Sequence, residues 1–170
     1  SGDRGYASLS TEANVVVSIS PLPESVSEKR ASGVEVIFSS ILMHKEPCLA
    51  GIKHLNRLLQ VLVANEAVAK GADEALVLSE EGRIIEGGKT NVFFVFDKLI
   101  KTPKIDEYGV AGIMRQRIFD TAIQAGYDIV EAEINLDDLL DVQEVFLTNS
   151  IIGVWPVKSL NDREFNQRIC

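Results

Sequence analysis

The sequence predicts an α+β fold built on a mostly antiparallel or barrel-like sheet. Short apolar runs of hairpin length outnumber the segments with helical spacing, and glycine, proline or short polar stretches separate most of them. Such a pattern favours this class over a doubly wound fold, in which strands and helices alternate. The chain has 170 residues, of which 46% are hydrophobic, enough for one domain with a substantial core.

Two segments have the 3.6-residue apolar spacing of an amphipathic helix. The first covers residues 55–70, with Gly71 as its C-cap, and the second covers residues 113–125, capped by Gly126. A short acidic helix is predicted at residues 137–140. The tail from residue 161 onward has a weakly helical pattern.

The strands are predicted from β-branched and apolar runs bounded by turn residues. In chain order, the predicted strands cover residues 15–19, 34–40, 74–79, 83–86, 91–96, 99–101, 129–134, 144–148 and 153–157. The first of them is continuous and β-branched, which predicts a buried strand. Residues 25–32 are predicted to form a polar loop.

The composition argues against several classes of partner. The net charge is −8 and the isoelectric point is about 4.8, without a block of Lys or Arg, so neither a nucleic acid nor an anionic membrane is expected. No apolar run approaches the roughly 18–20 residues of a membrane span. Cys48, Cys170, His44 and His54 lack the spacing of a metal site or a disulfide framework, which fits a reducing cytoplasm.

Lys53 is the first candidate for chemistry. It lies in Gly51-Ile52-Lys53-His54-Leu55-Asn56-Arg57-Leu58, at the predicted start of the first long helix. A lysine acts as a nucleophile or base near neutral pH only when desolvation or a nearby cation destabilises its ammonium form. Ile52 and Leu55 are expected to supply the first effect and Arg57 the second. The usual role of such a lysine is a Schiff base with a carbonyl compound.

Three further features carry polar groups that suit a phosphorylated, ring-containing ligand. Glu86 precedes Gly87-Gly88, where the missing side chains allow a flat ring to approach closely. Gly109-Val110-Ala111-Gly112 leads into a helix, whose first N–H groups bind anions. Thr148-Asn149-Ser150 places hydroxyl groups at a strand end. Each feature also occurs as an ordinary turn or loop without a ligand.

Taken together and in this order, the segments resemble the fold-type IV pyridoxal-phosphate enzymes. This group includes branched-chain aminotransferases, D-amino-acid aminotransferases and aminodeoxychorismate lyases. The matching segments are Asp3-Arg4-Gly5-Tyr6, Gly51 to Leu58 as quoted above, Asp73-Glu74-Ala75-Leu76-Val77-Leu78, Glu86-Gly87-Gly88-Lys89-Thr90-Asn91-Val92-Phe93, Thr102-Pro103, Gly109-Val110-Ala111-Gly112-Ile113-Met114-Arg115, Glu144-Val145-Phe146-Leu147-Thr148-Asn149-Ser150 and Trp155-Pro156-Val157. Lys-His-Leu-Asn-Arg-Leu and Gly-Ile-Met-Arg-Gln are most similar to the aminodeoxychorismate lyases.

The resemblance implies a role for five residues around pyridoxal 5′-phosphate. Lys53 would bind the cofactor covalently and act as the general base. Glu86 would contact the pyridine nitrogen. The backbone of Ile113 and Met114, with the Ser150 hydroxyl, would hold the phosphate.

Four more residues are placed near the reaction by the resemblance. Arg57 and Asn56 would lie beside the cofactor, and Arg4, with Tyr6 close to it, would hold the substrate carboxylate. The implied reaction converts 4-amino-4-deoxychorismate into 4-aminobenzoate and pyruvate, a step of folate biosynthesis. The alternatives are a D-amino-acid or branched-chain aminotransferase and a non-catalytic homologue.

The resemblance also has consequences for domain organisation. Residues 1–170 would form the large, cofactor-binding C-terminal domain of the D-amino-acid aminotransferase-like fold. The small N-terminal domain of the parent protein, which supplies a phosphate-binding arginine and part of the substrate pocket, would be absent from this chain. The full-length parent is expected to be a cytoplasmic homodimer that acts on a small-molecule substrate.

Overall fold

The computed structural model describes residues 12–165 of the chain, which form three α-helices, a 3₁₀ helix and nine strands. The helices are α1 (Ser25–Ser32), α2 (Leu58–Ala69) and α3 (Ile113–Gln124), and the 3₁₀ helix covers Asp137–Asp141. The strands are β1 (Val34–Met43), β2 (Glu74–Ser79), β3 (Ile84–Gly87), β4 (Asn91–Phe96), β5 (Leu99–Pro103), β6 (Asp128–Ala132), β7 (Glu144–Asn149), β8 (Gly153–Leu160) and β9 (Arg163–Glu164).

The strands form one mixed sheet in the order β3-β2-β1-β8-β7-β4-β5-β6, with β9 beside β8. Five of its eight pairings are antiparallel; β1 pairs in parallel with β2 and β8, and β5 with β6. The two ends of this order also meet, because the Ile84 N–H donates to the Ile134 carbonyl just after β6 (2.7 Å). The predicted α+β fold with a mostly antiparallel, barrel-like sheet is confirmed.

The core lies inside this curled sheet and under two helices. Leu76, Val92 and Leu147 belong to the largest buried cluster. The helix α2 covers β1 and β2, while α3 packs its aromatic face against Phe93, which stacks on Phe146 with 4.9 Å between ring centroids. The start of α3 lies near the end of the sheet where β3 and β7 finish.

Two predictions for the first part of the chain are wrong. Residues 15–19 form no strand, and the side chains of Val15 and Ile19 are 83% and 97% exposed. A β-branched run becomes a strand only where a neighbouring strand accepts its hydrogen bonds. Residues 25–32 form α1 instead of a polar loop. This helix is held by distant contacts, such as the bond from Arg30 Nη2 to the Ile152 carbonyl (2.8 Å).

Several further boundaries differ from the prediction, including the ends of β1 and β8, which extend to Met43 and Leu160. Residues 163–164 form the strand β9 rather than the start of a helix, because they pair with β8. The helix α2 begins at Leu58 rather than at residue 55. Lys53 therefore lies in a loop several residues before the helix rather than directly at its start. None of the helices within residues 12–165 has the length and apolar character that crossing a membrane requires.

Candidate active site

A cavity of about 630 Å³ opens at the start of α3. Four segments that are distant in sequence line it: the loop after Gly51, the end of β3 with the turn that follows, residues 110–114, and the turn after β7. Each carries one of the polar features found in the sequence. The fold brings these features together because β4 begins beside the end of β7, β3 ends at the turn that leads into β4, and the start of α3 lines the same cavity.

The loop that carries Lys53 is tied to the glycine loop before α3. The Gly51 N–H donates to the Gly109 carbonyl (2.9 Å), and the Ala111 N–H donates back to the Gly51 carbonyl (3.1 Å). Gly51 has a φ of 80°, which favours glycine. The Lys53 side chain is exposed and lines the cavity, and among the residues that the structure describes it has no hydrogen bond or ion pair.

The expected desolvation of Lys53 by its apolar neighbours is wrong for this chain. Ile52 is half-exposed and Leu55 is fully exposed. The residues before α2 follow an irregular path rather than a helix, so these side chains point away from the core. Arg57, the expected nearby cation, does line the cavity with Lys53.

Glu86 is a buried carboxyl group at the end of β3, with only 5% of its surface exposed. Its Oε2 accepts a hydrogen bond from the Val110 N–H (2.8 Å). Burial raises the pKa of Glu86 to about 7, although the Val110 N–H and the charges of Arg57 and Lys53 act in the opposite direction. A cation placed beside this carboxyl group would favour its ionised form.

The glycine loop before α3 fits against Glu86 and Asn91 because it has no side chains there. A Cβ at Gly109 would lie 3.1 Å from Glu86 Oε2, and one at Gly112 would lie 2.2 Å from Asn91 Oδ1. Asn91 Nδ2 in turn donates to the Val110 carbonyl (2.9 Å). The loop is therefore held by hydrogen bonds at both the N–H and the carbonyl group of Val110.

The first turn of α3 presents backbone N–H groups to the cavity. Ile113 and Met114 line the cavity, and the N–H groups of a first turn have no carbonyl acceptor within their own helix. Arg115 anchors this turn, because its buried guanidinium donates to Glu131 and to the Pro103 carbonyl (3.0 Å each). An anion at this position would meet N–H groups and the positive end of the helix dipole.

The turn after β7 supplies the opposite side of the cavity. Asn149 Oδ1 accepts from the N–H groups of Ile151 and Ile152 (2.9 Å each), and its Nδ2 donates to the Lys89 carbonyl (3.0 Å). The exposed Ser150 therefore sits on a well-defined turn. Thr148 also lines the cavity; its buried hydroxyl has no hydrogen-bond partner in the part of the chain that the structure describes.

Glu74 is a buried residue of the site that the sequence did not point out. Its carboxyl group lies under the turn after β3, where it accepts from the Thr90 hydroxyl (3.1 Å) and the Lys89 N–H (3.3 Å). Burial raises the pKa of Glu74, and the charge of Lys89 opposes this change. An acidic residue at the first position of a strand is usually solvated, so its local pattern gives no signal of burial.

Six of the predicted site residues line the same cavity: Lys53, Arg57, Glu86, Ile113, Met114 and Ser150. Asn56 lies apart from them, in an adjoining cavity of about 120 Å³ that shares Arg57 and Glu86 with the first. Arg4 and Tyr6 lie outside the described residues. Within residues 12–165, no group of three or more His, Cys, Asp or Glu side chains is arranged to hold a metal ion.

Residues 1–160 match the family described as amino-transferase class IV. The chain belongs to this family. It is 34% identical over 164 residues to an aminodeoxychorismate lyase from Vibrio harveyi, a match that covers 96% of this chain and 60% of the relative. The chain therefore spans less than two thirds of that protein's length.

Two solved structures extend this comparison within the class IV family. The structure of 4-amino-4-deoxychorismate lyase from Pseudomonas aeruginosa matches with a TM-score of 0.84 and 34% identity, over 89% of this chain and 56% of that one. A branched-chain amino acid aminotransferase from T.th., complexed with N-(5′-phosphopyridoxyl)-L-glutamate, matches with a TM-score of 0.72 and 33% identity, over 82% of this chain and 47% of that one. The fold prediction is confirmed by both.

Proposed function

We propose that this chain is the cofactor-binding part of a pyridoxal-phosphate-dependent lyase that converts 4-amino-4-deoxychorismate into 4-aminobenzoate and pyruvate. The observation that carries the proposal is the convergence of Lys53, Glu86 and the start of α3 on one cavity. The choice of reaction is supported by the similarity to the Vibrio harveyi lyase, which extends over 96% of the chain.

The groups around the cavity fit this cofactor. Pyridoxal phosphate has an aldehyde, a basic ring nitrogen and a phosphate, and the cavity offers an amine without a partner among the described residues, a buried carboxyl group and a helix N-terminus. The buried Thr148 hydroxyl, which lacks a partner among residues 12–165, is a further polar group available to a ligand. When bound, the cofactor supplies an electron sink for charge that develops on the substrate carbon.

Lys53 is proposed to have two roles. Its amine would hold the cofactor through the aldehyde. When free, the same amine would take the proton from the amine-bearing carbon of the substrate and return it to the departing enolpyruvyl group. Both roles require an Nζ that is accessible and not occupied by an ion pair, and Lys53 is exposed to the cavity. The loss of pyruvate then leaves the aromatic product.

Glu86 is proposed to contact the ring nitrogen, where its carboxylate keeps that nitrogen protonated and strengthens the electron sink. Because Glu86 is buried, its negative charge is unfavourable in the free protein. The same low local dielectric strengthens the attraction between this charge and a cation placed opposite it. Ile113 and Met114, through their N–H groups, and Ser150, through its hydroxyl, are proposed to bind the phosphate. Arg57 and Asn56 are proposed to lie beside the cofactor.

The remaining parts of the proposal concern the whole protein. The chain is proposed to be its C-terminal domain, with a small N-terminal domain completing the active site, in a cytoplasmic homodimer. The span of 60% of the Vibrio harveyi relative supports a further domain. Exposed apolar side chains on α2, such as Leu58 and Val61, support an additional contact surface. Arg4 and Tyr6 are proposed to bind the substrate carboxylate.

A second candidate function is an aminotransferase reaction at the same site. It is favoured by the 33% identity to the branched-chain aminotransferase, whose structure covers 82% of this chain. Both reactions use the same lysine and the same cofactor, so the geometry of the cavity supports either one. The two differ in the products that they release.

The proposal is tested with the full-length protein and pyridoxal phosphate. We expect an absorbance band that survives desalting, is fixed by borohydride and is absent from Lys53→Ala. Lys89→Ala is the matched control, because Lys89 lines the same cavity, and it should keep the band. A band that persists in Lys53→Ala would refute the assignment of the lysine.

The reaction is tested with two sets of substrates. We expect pyruvate release from 4-amino-4-deoxychorismate, with 4-aminobenzoate formed in equal amount. D-alanine or a branched-chain amino acid, each with 2-oxoglutarate, should give little glutamate in the same assay. Glutamate formation without any 4-aminobenzoate would replace the lyase with the aminotransferase.

A further inference from the structure

We propose that Arg57 positions Lys53 by holding the backbone on both sides of it. Arg57 Nη2 donates to the Ile52 carbonyl (2.8 Å), and Nε donates to the His54 carbonyl (3.0 Å). These carbonyls belong to the residues immediately before and after Lys53. Arg57 is thus a positioning residue that acts through the lysine loop, and this inference rests on the proposed role of Lys53.

Few other contacts hold the loop at this end, and one of them is the hydrogen bond from the Ile52 N–H to the Leu49 carbonyl (3.0 Å). Gly51 is anchored by its bridge to Val110, but residues 52–57 belong to no helix or strand. Ile52 and Leu55 place their side chains toward solvent rather than in the core. A segment with few buried apolar contacts opens easily unless hydrogen bonds restrain it. In the described part of the chain, the side-chain bonds to the carbonyls of residues 52 and 54 come from Arg57.

An arginine is suited to this task and a lysine is not. The planar guanidinium donates in two directions at once, so one side chain reaches two carbonyls that lie on opposite sides of Lys53. Hydrogen bonds from a charged donor are stronger than neutral ones. A lysine at position 57 would keep the charge but would present a single nitrogen to the two acceptors.

The consequence concerns the rate at which Lys53 reacts. A nucleophile must sit within about 3–3.5 Å of its target in the correct orientation, and a displacement of about 1 Å costs up to about 100-fold in rate. Loosening the peptide groups next to Lys53 should therefore slow its attack on an aldehyde. In Arg57→Lys, which keeps the charge that acts on Glu86, the helix N-terminus and Glu86 should still hold the rest of the ligand.

The first measurement is hydrogen–deuterium exchange of the full-length protein without cofactor. Arg57→Lys and Arg57→Met are compared with Arg117→Met, which removes the same charge from the exposed face of α3. We expect the Ile52 N–H, which donates to the Leu49 carbonyl (3.0 Å), to exchange about 10-fold faster in both Arg57 variants than in the control. Equal exchange in all proteins would overturn the inference, whatever the cofactor does.

The second measurement separates positioning from ligand contact. The rate of borohydride-fixable attachment of pyridoxal phosphate is measured beside the affinity for pyridoxine 5′-phosphate, whose alcohol cannot bond to a lysine. We expect attachment to slow by about 10- to 100-fold in Arg57→Lys and Arg57→Met. The affinity of Arg57→Lys for the alcohol should stay within about twofold of the wild-type value, because this variant keeps the positive charge in the cavity and beside Glu86.

Two results would overturn the positioning role of Arg57, and a third would overturn the proposed function itself. An equal loss of affinity for the alcohol in Arg57→Lys would make Arg57 a ligand contact and overturn the inference. Attachment at the wild-type rate in both variants would also overturn it, while leaving the proposed function intact. No attachment in the wild-type protein would instead refute the proposed function, and the inference about Lys53 with it.

Discussion

Replacing Glu86 with Gln removes a carboxyl group whose ionisation opposes folding of the free protein. Burial raises the pKa of Glu86 from 4.5 to about 7, against the effects of the Val110 N–H, Arg57 and Lys53. In the unfolded chain the group titrates near its ordinary value. The folded state therefore favours the protonated form, and the free energy of unfolding falls as the pH rises from below 4.5 to above 7.

The size of the effect follows from the two pKa values. Their difference corresponds to about 3 kcal/mol once the pH is well above 7. About 2 kcal/mol of this develops between pH 5.5 and 8, a range that avoids the isoelectric point near 4.8. A Gln amide oxygen can accept the same Val110 N–H and carries no charge. Glu86→Gln should therefore stabilise the free protein by about 3 kcal/mol at pH 8 and by about 1 kcal/mol at pH 5.5.

The assay is urea unfolding at the two pH values, followed by tryptophan fluorescence. The chain has a single tryptophan, Trp155, which is buried and therefore reports on unfolding. Glu28→Gln, at an exposed position of α1, is the matched control and should change the free energy of unfolding little at either pH. Adding pyridoxal phosphate should make the wild-type protein more stable than Glu86→Gln, because only the carboxylate of the wild-type protein pairs with the ring nitrogen.

The reasoning would be refuted if the free energies of unfolding of Glu86→Gln and wild type differed by the same amount at pH 5.5 and at pH 8. Such a result would mean that the carboxyl group is solvated or already paired in the free protein. A stabilisation by pyridoxal phosphate as large in Glu86→Gln as in wild type would refute the assigned contact with the ring nitrogen.

Two further predictions concern the walls of the cavity. Gly112→Ala should lower the free energy of unfolding by about 1–3 kcal/mol, because the added Cβ would lie 2.2 Å from Asn91 Oδ1. Urea unfolding of the same substitution in an Asn91→Ala background, where this contact is gone, checks this, and an equal cost in both backgrounds would contradict it. Thr148→Val should stabilise the free protein by about 1 kcal/mol, since it removes a buried hydroxyl without a partner among the described residues, yet weaken the binding of pyridoxal phosphate. In Thr148→Val, the free energy of unfolding should therefore rise while the affinity for pyridoxal phosphate falls. Thr148→Ser, which keeps the hydroxyl, is the control. A loss of stability without a change in affinity would show that the hydroxyl contributes only to the fold.

Elements with a strong local pattern were predicted well. The spacing of apolar residues and the final Gly126 define α3 to within one residue, and β2, β3, β4 and β7 lie where apolar runs end at turns. Some of the side chains that line the cavity, among them Lys53, Glu86 and Ser150, were also predicted as site residues because they occur in ordered motifs.

Other elements depend on contacts that no local pattern contains. The helix α1 has a weakly amphipathic sequence but is bound to β8 through Arg30 and Trp155, whose Nε1 donates to the Val26 carbonyl (3.3 Å). The start of α2 is delayed because the Arg57 side chain bonds to the loop before it. In both cases a long side chain on one segment satisfies the backbone of another.

By itself, the sequence determined the α+β class, the order of most elements and the residues that are proposed to carry the chemistry. The tertiary structure decided how these residues are used. It buried Glu74 beneath a turn and shifted the pKa of Glu86, left Ile52 and Leu55 in solvent, and placed Arg57 across the lysine loop. The physical reason is that helix and turn preferences arise from neighbouring residues, whereas the cost of burying a charge depends on groups that only the fold brings near.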